Sequence, residues 1–537
     1  MGQTWRLIIK TDKILPIMLI LIPALLLFLT ALAVVILQIM RPEFRFTWLT
    51  AVGGALLAWI GVVLWQGSLP LAFNLVAWEP AKLFSESPAF AAQTIVWPYA
   101  LSLVTLAISI LLTASVNETF TSAFAWAGSL TLCGLGLLAI TAANPLTLAL
   151  VWAALDFAEL VIMLRSVNGS TSSERIVISF STRAAGIALL IWASVVTSAS
   201  GKIPDFLTTP PQAGLYLLIA SGLRLGVLPL HLPYSSESVL RRGFGTTLRL
   251  VSAASSLVLL AHIPGTSLEG PLTPLLLILA AVAGIYGGWM WLRAPDELVG
   301  RPFWIIGLAA LAIAAALLGN PVGAVGWGTT LILAGGALFL ASVQQTWIGR
   351  VLLIGAFSLS ALPFSLTASG WQGNSFSFWY VLPFLLIAQA LLMAGFIRSA
   401  LRPSTRASLE SQPIWARGIY PIGIGFLLFA QLLLGAWGWE GALNVGAWPV
   451  GLCAALLTFG LLWAIPRSAW LNPVPAHWVR PSLTPWLDHL YENLWNLYRG
   501  LARLSQAVSD VLEGDGGIMW TLLFLVLFIS LITQRKP

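Results

Sequence analysis

The feature that most constrains this chain is a series of apolar runs about 20 residues long, the length a helix needs to cross a bilayer. Hydropathy and run length predict about sixteen membrane-spanning helices along the sequence. Hydrophobic residues make up 58% of the 537 positions and charged residues 9%, whereas soluble domains carry about 25% charged residues. The sequence therefore predicts an all-α polytopic membrane protein.

The basic residues predict an orientation in the membrane. Seventeen of the 27 Lys and Arg residues lie in loops after odd-numbered predicted helices, and only Lys82 and Lys202 lie in even-numbered loops. By the positive-inside rule, the odd-numbered loops face the cytoplasm and both termini face the opposite side. Membrane topology thus accounts for the net charge of +7, and we expect no nucleic-acid partner.

Motifs for redox centres and cofactors are absent from the sequence. Cys133 and Cys453 lie in apolar runs without a CxxC pair or iron–sulfur spacing, so we interpret both as buried structural thiols. There is no GxGxxG, Walker or zinc motif. The sequence therefore predicts no cofactor and no metal site.

A change in composition after Pro466 indicates a separate region near the carboxyl terminus. Five prolines between positions 466 and 485 prevent a continuous helix there. From Trp486 to Val511, apolar residues recur at spacings of three and four, which predicts an amphipathic helix of about 28 residues. This helix either lies in the headgroup layer or braces the flank of this or a neighbouring subunit.

Ionisable residues within predicted membrane helices are functional candidates, because each costs at least about 2.5–3.5 kcal/mol at bilayer depth. Asp156 and Glu159 lie on the fifth predicted helix, and Arg183, Arg224 and Arg249 lie on the next three. The five charges form either a fixed ion-pair network or a proton relay. Arginine is effectively always charged, so the three arginines can hold or tune a neighbour but cannot pass a proton on.

Two prolines interrupt otherwise helical runs. Pro229 lies in "LRLGVLPLHLPY" and Pro363 in "LIGAFSLSALPFSLTASGW", and each removes an intrahelical hydrogen bond and breaks or bends its helix. The breaks fall in the seventh and twelfth predicted helices. Interruptions at matching places in two halves are typical of inverted repeats around a buried ion site.

These features resemble the antiporter-like membrane subunits of respiratory complex I, Mrp-type cation/proton antiporters and energy-converting hydrogenases. The family's seventh helix carries Lys, four residues, then Pro-Phe-His, and here Arg224 is followed after four residues by Pro229-Leu230-His231. The resemblance therefore adds His231 to the five charges as a member of the predicted proton path or buried ionic network. "SALPFS" around Pro363 is similar to the family's Ala-Gly-Leu-Pro-Pro break. "FSTRAAG" around Arg183 is similar to the Asn-Arg segment of the distal, largest subunit type.

The resemblance implies two inverted five-helix repeats, helices four to eight and nine to thirteen. It also implies a cytoplasmic amphipathic helix before the last span. The predicted units are 1–121 for helices one to three, 122–262 and 272–397 for the repeats, 418–465 for helices fourteen and fifteen, 466–517 for the amphipathic region and 518–537 for the last helix.

The first repeat departs from the family pattern at its titratable positions. In the family, a helix-five glutamate in a Trp-Glu pair partners the helix-seven lysine. Here Trp152 is followed by Ala153, and the nearest acid is Asp156, about one turn further on. Arg224 stands at the lysine position, and Arg249 stands at the position of the eighth-helix histidine.

The second repeat lacks its titratable positions altogether. The family's central lysine falls near Gly335, and the ionisable residue after the twelfth-helix break falls near Trp371. The resemblance therefore implies a degenerate proton path and a largely structural subunit of a bacterial cytoplasmic membrane complex. Its partners are other membrane subunits and lipids, and quinone is reached only through neighbouring subunits.

Two alternatives remain open at this point. The chain is an active proton or cation translocator that uses Asp156 or Glu159 with Arg224, or it is a stand-alone secondary transporter for a small solute.

Overall fold

The structure is a computed structural model that describes residues 19–464 and residue 496. Within that range it leaves out positions 43, 45, 75–86, 117–121, 167–169, 204, 207–208, 233–241, 264–267, 269, 344, 373–378, 403–408 and 444–447. Residues 1–474 form one compact unit and residues 475–537 a second. The predicted amphipathic helix and the predicted last span lie outside the described residues.

The described part of the first unit contains fifteen α-helices. The first eight are α1 Ile22–Met40, α2 Thr47–Trp65, α3 Trp97–Thr113, α4 Ala123–Ile140, α5 Pro145–Ser166, α6 Ser170–Ala199, α7 Pro211–Leu225 and α8 Arg242–His262. The other seven are α9 Thr273–Arg293, α10 Glu297–Leu317, α11 Pro321–Leu340, α12 Thr346–Ser358, α13 Leu382–Leu401, α14 Ile414–Leu433 and α15 Trp448–Ala464.

These helices confirm the predicted all-α polytopic membrane fold. Twelve of them, some with a short helical extension, are long and apolar enough to span a bilayer, and α12 and α15 are shorter apolar helices. Each matches one of the first fifteen predicted spans. The total of sixteen and the two inverted repeats stay predictions.

Burial follows the expectation for a chain surrounded by lipid. Almost every side chain of α8 and α11 is buried, so these two helices form the centre of the bundle. Leu25 and Leu29 of α1 are 52% and 61% exposed, as is typical of a helix face in contact with acyl chains. Of the two cysteines, Cys133 is buried but Cys453 is exposed, so the prediction of two buried thiols is wrong for Cys453.

Local signals in the sequence place several helix starts. The Asp296 side chain accepts 2.8 Å hydrogen bonds from the backbone N–H groups of Leu298 and Val299 and caps α10. Asn320 caps α11 through a 2.8 Å bond from Gly323 N–H, and Pro321 occupies the first turn, where its missing N–H is harmless.

A small β-hairpin between α2 and α3 was not predicted. Strands β1 Leu71–Asn74 and β2 Ala89–Ala92 pair antiparallel, with Leu71 opposite Ala92. The backbone N–H of Ala91 also donates to Thr141 O at the end of α4, over 2.6 Å. The strand pairing and this bond satisfy backbone groups of a segment that lies between two helices.

The helix break at Pro229 begins earlier than expected. The predicted span was 213–232, but α7 ends at Leu225 because Gly226 takes the left-handed φ of 75°. The N–H of Val227 then donates to Gly222 O over 2.9 Å. Pro229 lies in the turns that follow, so the prediction of a broken seventh helix is confirmed, with its break displaced towards Gly226.

The second break is longer. Helix α12 ends at Ser358, and turns occupy the chain through Trp371 in place of the predicted helix to 371. Ala361 and Phe364 have φ of 55° and 67°, in the region that L-residues seldom adopt. Pro363 lies between them, so the chain is broken around this proline, as predicted.

Arg242 links the two halves of the bundle. At the start of α8, its guanidinium pairs with Glu297 of α10 over 2.7 Å. It also donates to the carbonyls of Phe339 and Ala341 at the end of α11, over 2.8 and 2.9 Å. One side chain thus joins a helix of the predicted first repeat to two helices of the second.

We expect Arg242→Gln to lower the free energy of unfolding by about 1.5–3 kcal/mol, the range for a hydrogen bond to a charged group. The matched control is Lys202→Gln, since Lys202 is exposed. Thermal unfolding in detergent measures both. Equal melting temperatures for the two variants would show that Arg242 does not hold the halves together.

Candidate functional site

Four successive helices bring the five predicted membrane charges together. Helix α5 carries Asp156 and Glu159, and α6, α7 and α8 carry one arginine each. All five are at most 3% exposed. We call this set the charge ladder: Arg224, Asp156, Arg183, Glu159 and Arg249.

Arg224 and Asp156, at one end of the charge ladder, form a bidentate ion pair. The guanidinium of Arg224 meets both carboxylate oxygens of Asp156, over 2.5 and 2.8 Å. The face of Arg224 also lies 4.2 Å from the ring centre of Trp152, one turn before Asp156 on α5. Such a fork geometry with a stacked ring is specific to arginine, because a lysine ammonium is a point charge.

The remaining donors of Arg224 bind helices α6 and α8. Its Nε donates to Ser256 Oγ over 3.1 Å and one terminal nitrogen donates to the backbone carbonyl of Arg183 over 3.2 Å. Close approach of α6 needs a glycine, since a Cβ on Gly186 would lie 2.7 Å from Cγ of Arg224. Arg224 is therefore bonded to three other helices at once.

Along the rest of the charge ladder, basic and acidic side chains alternate. Arg183 and Arg249 both donate to the carboxylate of Glu159, and Arg183 also lies 3.8 Å from Asp156. Each carboxylate thus contacts two guanidinium groups. The displaced acid of α5 therefore still pairs with the cation of α7, although the family's Trp-Glu pair is missing.

This arrangement limits what the charge ladder can do chemically. Proton transfer along it would have to cross Arg183, which lies between the two acids and cannot release its proton. Asp156 and Glu159 are the two carboxyl groups of the charge ladder. With both ionised, three guanidinium groups and two carboxylates leave one positive charge.

His231 lies apart from the charge ladder. It is 7% exposed, and its Nδ1–H donates to the carbonyl of Pro229 over 2.8 Å. Among the hydrogen bonds of the described residues, none joins His231 to a ladder residue. Its imidazole therefore contacts the break after α7, so the structure brings the five charges together and places His231 beside Pro229.

Aromatic rings occupy the place of the family's central lysine. A Cβ on Gly335 would lie 2.5 Å from the indole nitrogen of Trp304. The ring of Trp304 packs on Trp291, Phe396 and Phe339, with centroid distances of 5.3, 5.6 and 6.4 Å. The space beside Gly335, in the predicted second repeat, is therefore filled by aromatic rings as well as uncharged.

Neutral side chains hold the second break. The indole N–H of Trp371 donates to Gln389 Oε1 over 2.9 Å, and the amide of Gln389 donates to Leu359 O over 2.7 Å. Asn320 bonds the other end, donating to Ser369 O over 2.6 Å. A neutral amide thus meets Trp371, where the family carries an ionisable group.

Sequence reasoning missed Gln389 and Asn320. Both side chains are neutral amides, and a single amide in an apolar span does not stand out by charge. The signal was present, because an amide buried at bilayer depth needs hydrogen-bond partners. Gln389 bonds Leu359, 30 residues away in the chain, and Asn320 bonds Ser369, 49 residues away. Only the fold identifies these partners.

We expect Arg224→Lys to lower the free energy of unfolding by about 1.5–3 kcal/mol although the charge is kept, since lysine cannot reproduce the fork. Arg417→Lys is the matched control, because Arg417 is exposed and donates to backbone carbonyls. Thermal unfolding compares them. A lysine variant as stable as the parent would contradict the two-bonded pairing.

We expect Gly335→Leu to destabilise the chain by about 1–3 kcal/mol through overpacking against Trp304. Gly53→Leu on α2 is the control, since nothing lies within 4 Å of a Cβ there. Melting temperatures in lipid nanodiscs report the difference. If the two leucine variants have the same melting temperature, the space beside Gly335 is open and aromatic rings do not fill it.

Comparison of the sequence with protein-family models and with curated proteins finds no match. Solved structures do match. A chain of the Mrp complex from Dietzia sp. DQ12-45-1b superposes with a TM-score of 0.67 at 13% identity, over 96% of this chain and 63% of that chain. This protein thus spans less than two thirds of the Mrp chain.

Two respiratory assemblies contain similar chains. A chain of the archaeal membrane-bound sulfane sulfur reductase gives a TM-score of 0.60 at 14% identity, covering 95% of this chain and 99% of that one. A chain of respiratory complex I from Thermus thermophilus with bound aureothin gives a TM-score of 0.57 at 18% identity, covering 77% of this chain and 98% of that one. At these identities the likeness establishes the fold, and this chain has the fold of subunits in Mrp, sulfane sulfur reductase and complex I assemblies.

Proposed function

We propose that this chain is an antiporter-like subunit of a complex-I-like respiratory or hydrogenase-type membrane complex, with a degenerate proton path and a largely structural role. The observation that carries the proposal is the charge ladder, in which each carboxylate contacts two arginines that cannot exchange protons.

The second repeat supports the same conclusion. Trp304 fills the space beside Gly335, and Gln389 meets Trp371. Neither place holds a group that titrates near neutral pH. A proton entering the second repeat would find no acceptor at the two positions where the family provides one.

A structural role fits the energetics of buried ion pairs. Removing one partner of such a pair costs about 3–5 kcal/mol, because the other charge is left uncompensated. The charge ladder spans α5 to α8 and therefore resists any displacement of these helices relative to one another. A subunit of this kind would present a rigid membrane surface to its neighbours.

Partners and location follow from the resemblance and the similar structures. The three similar chains come from multi-subunit membrane assemblies, which supports other membrane subunits and lipids as partners. We assign the chain to a bacterial cytoplasmic membrane, with odd-numbered loops in the cytoplasm and quinone reached only through neighbouring subunits. The region 466–517 would brace an adjacent subunit.

One observation favours active translocation as a second candidate function. Asp156 and Glu159 are buried carboxylates three residues apart on one helix face, and carboxylates serve as proton carriers in membrane pumps. In this case Arg224 would tune Asp156. A stand-alone secondary transporter is the third candidate, and it predicts a chain that purifies and transports alone.

Neutralising the acids together with an arginine separates the candidates. We expect assembled complexes with either Asp156→Asn and Arg224→Gln or Glu159→Gln and Arg249→Gln to pump as many protons per electron as the parent complex. Each acid is changed together with an arginine that it contacts, so each double variant leaves one acid between two arginines and avoids a stranded carboxylate. Proton uptake by proteoliposomes, normalised to electron flux, measures the yield.

The control variant is Lys202→Gln, and mass spectrometry of the purified complex verifies that all subunits are present. A lower proton yield in a fully assembled complex would overturn the structural role and support translocation. A chain that elutes without partners and transports a solute by itself would overturn membership of a complex.

A further inference from the structure

The charge ladder carries a positive charge that no change of protonation can remove. Its three guanidinium groups are effectively always charged, and its two carboxylates supply at most two negative charges. The ladder therefore keeps at least one net positive charge, and protonation of either acid would only add to it. The sequences of α5 to α8 as a whole have the same sign, with six arginines and three acidic residues.

This positive charge is held at membrane depth. All five side chains of the charge ladder are at most 3% exposed, so dissolved ions screen them little. Helix α7, which carries Arg224 in its last turn, has 15 residues and is about 22 Å long. The hydrocarbon core of a bilayer is about 30 Å thick. The carboxyl end of α7 therefore lies within the membrane.

The end of α7 is a place that would otherwise attract cations. The carboxyl end of a helix carries a partial negative charge, and in transporters such ends of broken helices, with unwound backbone carbonyls, coordinate Na⁺ or H⁺. Here the chain leaves the helix at Gly226, two residues after Arg224. A fixed guanidinium thus supplies the positive charge that a mobile cation would bring to this break.

We infer that the charge ladder acts as an electrostatic barrier that keeps protons and other cations from crossing this part of the subunit. Fixed arginines exclude cations from membrane pores in the same way. At an effective dielectric constant of about 20, a unit charge about 10 Å away changes the occupancy of a cation by about tenfold.

The barrier gives the charge ladder a function beyond holding helices together. A subunit without its own proton path must still not dissipate the gradient that the complex builds, and a permanent positive charge inside it prevents that leak. The inference rests on the proposed function, because a charge ladder that conducted protons could not also exclude them.

Variants that change the net charge of the ladder in the assembled complex test the inference. Arg249→Gln removes the surplus charge, while Glu159 keeps its contact with Arg183. Arg249→Lys keeps the parent charge. Arg249→Gln combined with Asp156→Asn restores the parent net charge from a different acid and leaves Glu159 as it is in the single variant.

Proton entry into proteoliposomes is measured with an enclosed pH-sensitive dye, under a potassium diffusion potential and without electron flow. We expect the protein-dependent proton leak of Arg249→Gln to exceed that of the parent complex about tenfold. The other two variants should match the parent. Mass spectrometry verifies that all subunits are present, and Arg224→Gln, with the same net charge, replaces Arg249→Gln if that variant does not assemble.

Two results would overturn the barrier. One is an Arg249→Gln complex with the same proton leak as the parent. The other is an equal leak in Arg249→Gln with and without Asp156→Asn, because the leak would then come from lost packing and not from lost charge. Both results leave the proposed function standing, since the proton yield per electron of the double variants described above decides that separately.

Discussion

Charged side chains at membrane depth are stable only when partners replace their water, and the pairing of Arg224 with Asp156 meets this requirement most completely here. The guanidinium bonds both carboxylate oxygens, Ser256 and a carbonyl of α6, and stacks on Trp152. Around this pair the other charges alternate in sign. The packing of α5 to α8 depends on this arrangement, since moving one helix would strand a charge in a medium of low dielectric constant.

Polar groups at membrane depth find their partners in different ways in the two halves of the bundle. In the first half, the arginines of the charge ladder form ion pairs with Asp156 and Glu159. The second carries neutral amides, indoles and hydroxyls, with Gln389 bonding the broken segment and Trp304 filling the centre. Arg242 joins the halves through Glu297. Among the described residues, neither half then offers a continuous series of groups that change protonation, which supports the proposal of a structural subunit.

Much of the candidate site could be predicted because charges in apolar spans are conspicuous. The spacing of Asp156 and Glu159 placed both on one face of α5. Which arginine bonds which acid could not be predicted, because that depends on how four helices pack. Asp156 lies one turn from the position of the family's glutamate, yet it reaches Arg224. His231 was grouped with the charges from a motif, but the break after α7 directs it to Pro229.

By itself, the sequence determined the membrane class, the approximate spans and the two breaks, because hydropathy, run length and proline act locally along the chain. Tertiary structure decided where the helices end, as at Gly226, and added the hairpin between α2 and α3. It also decided the order of the charge ladder and the bonds of Gln389. These features join residues distant in sequence, and their free energy depends on distances that only the packed helices define.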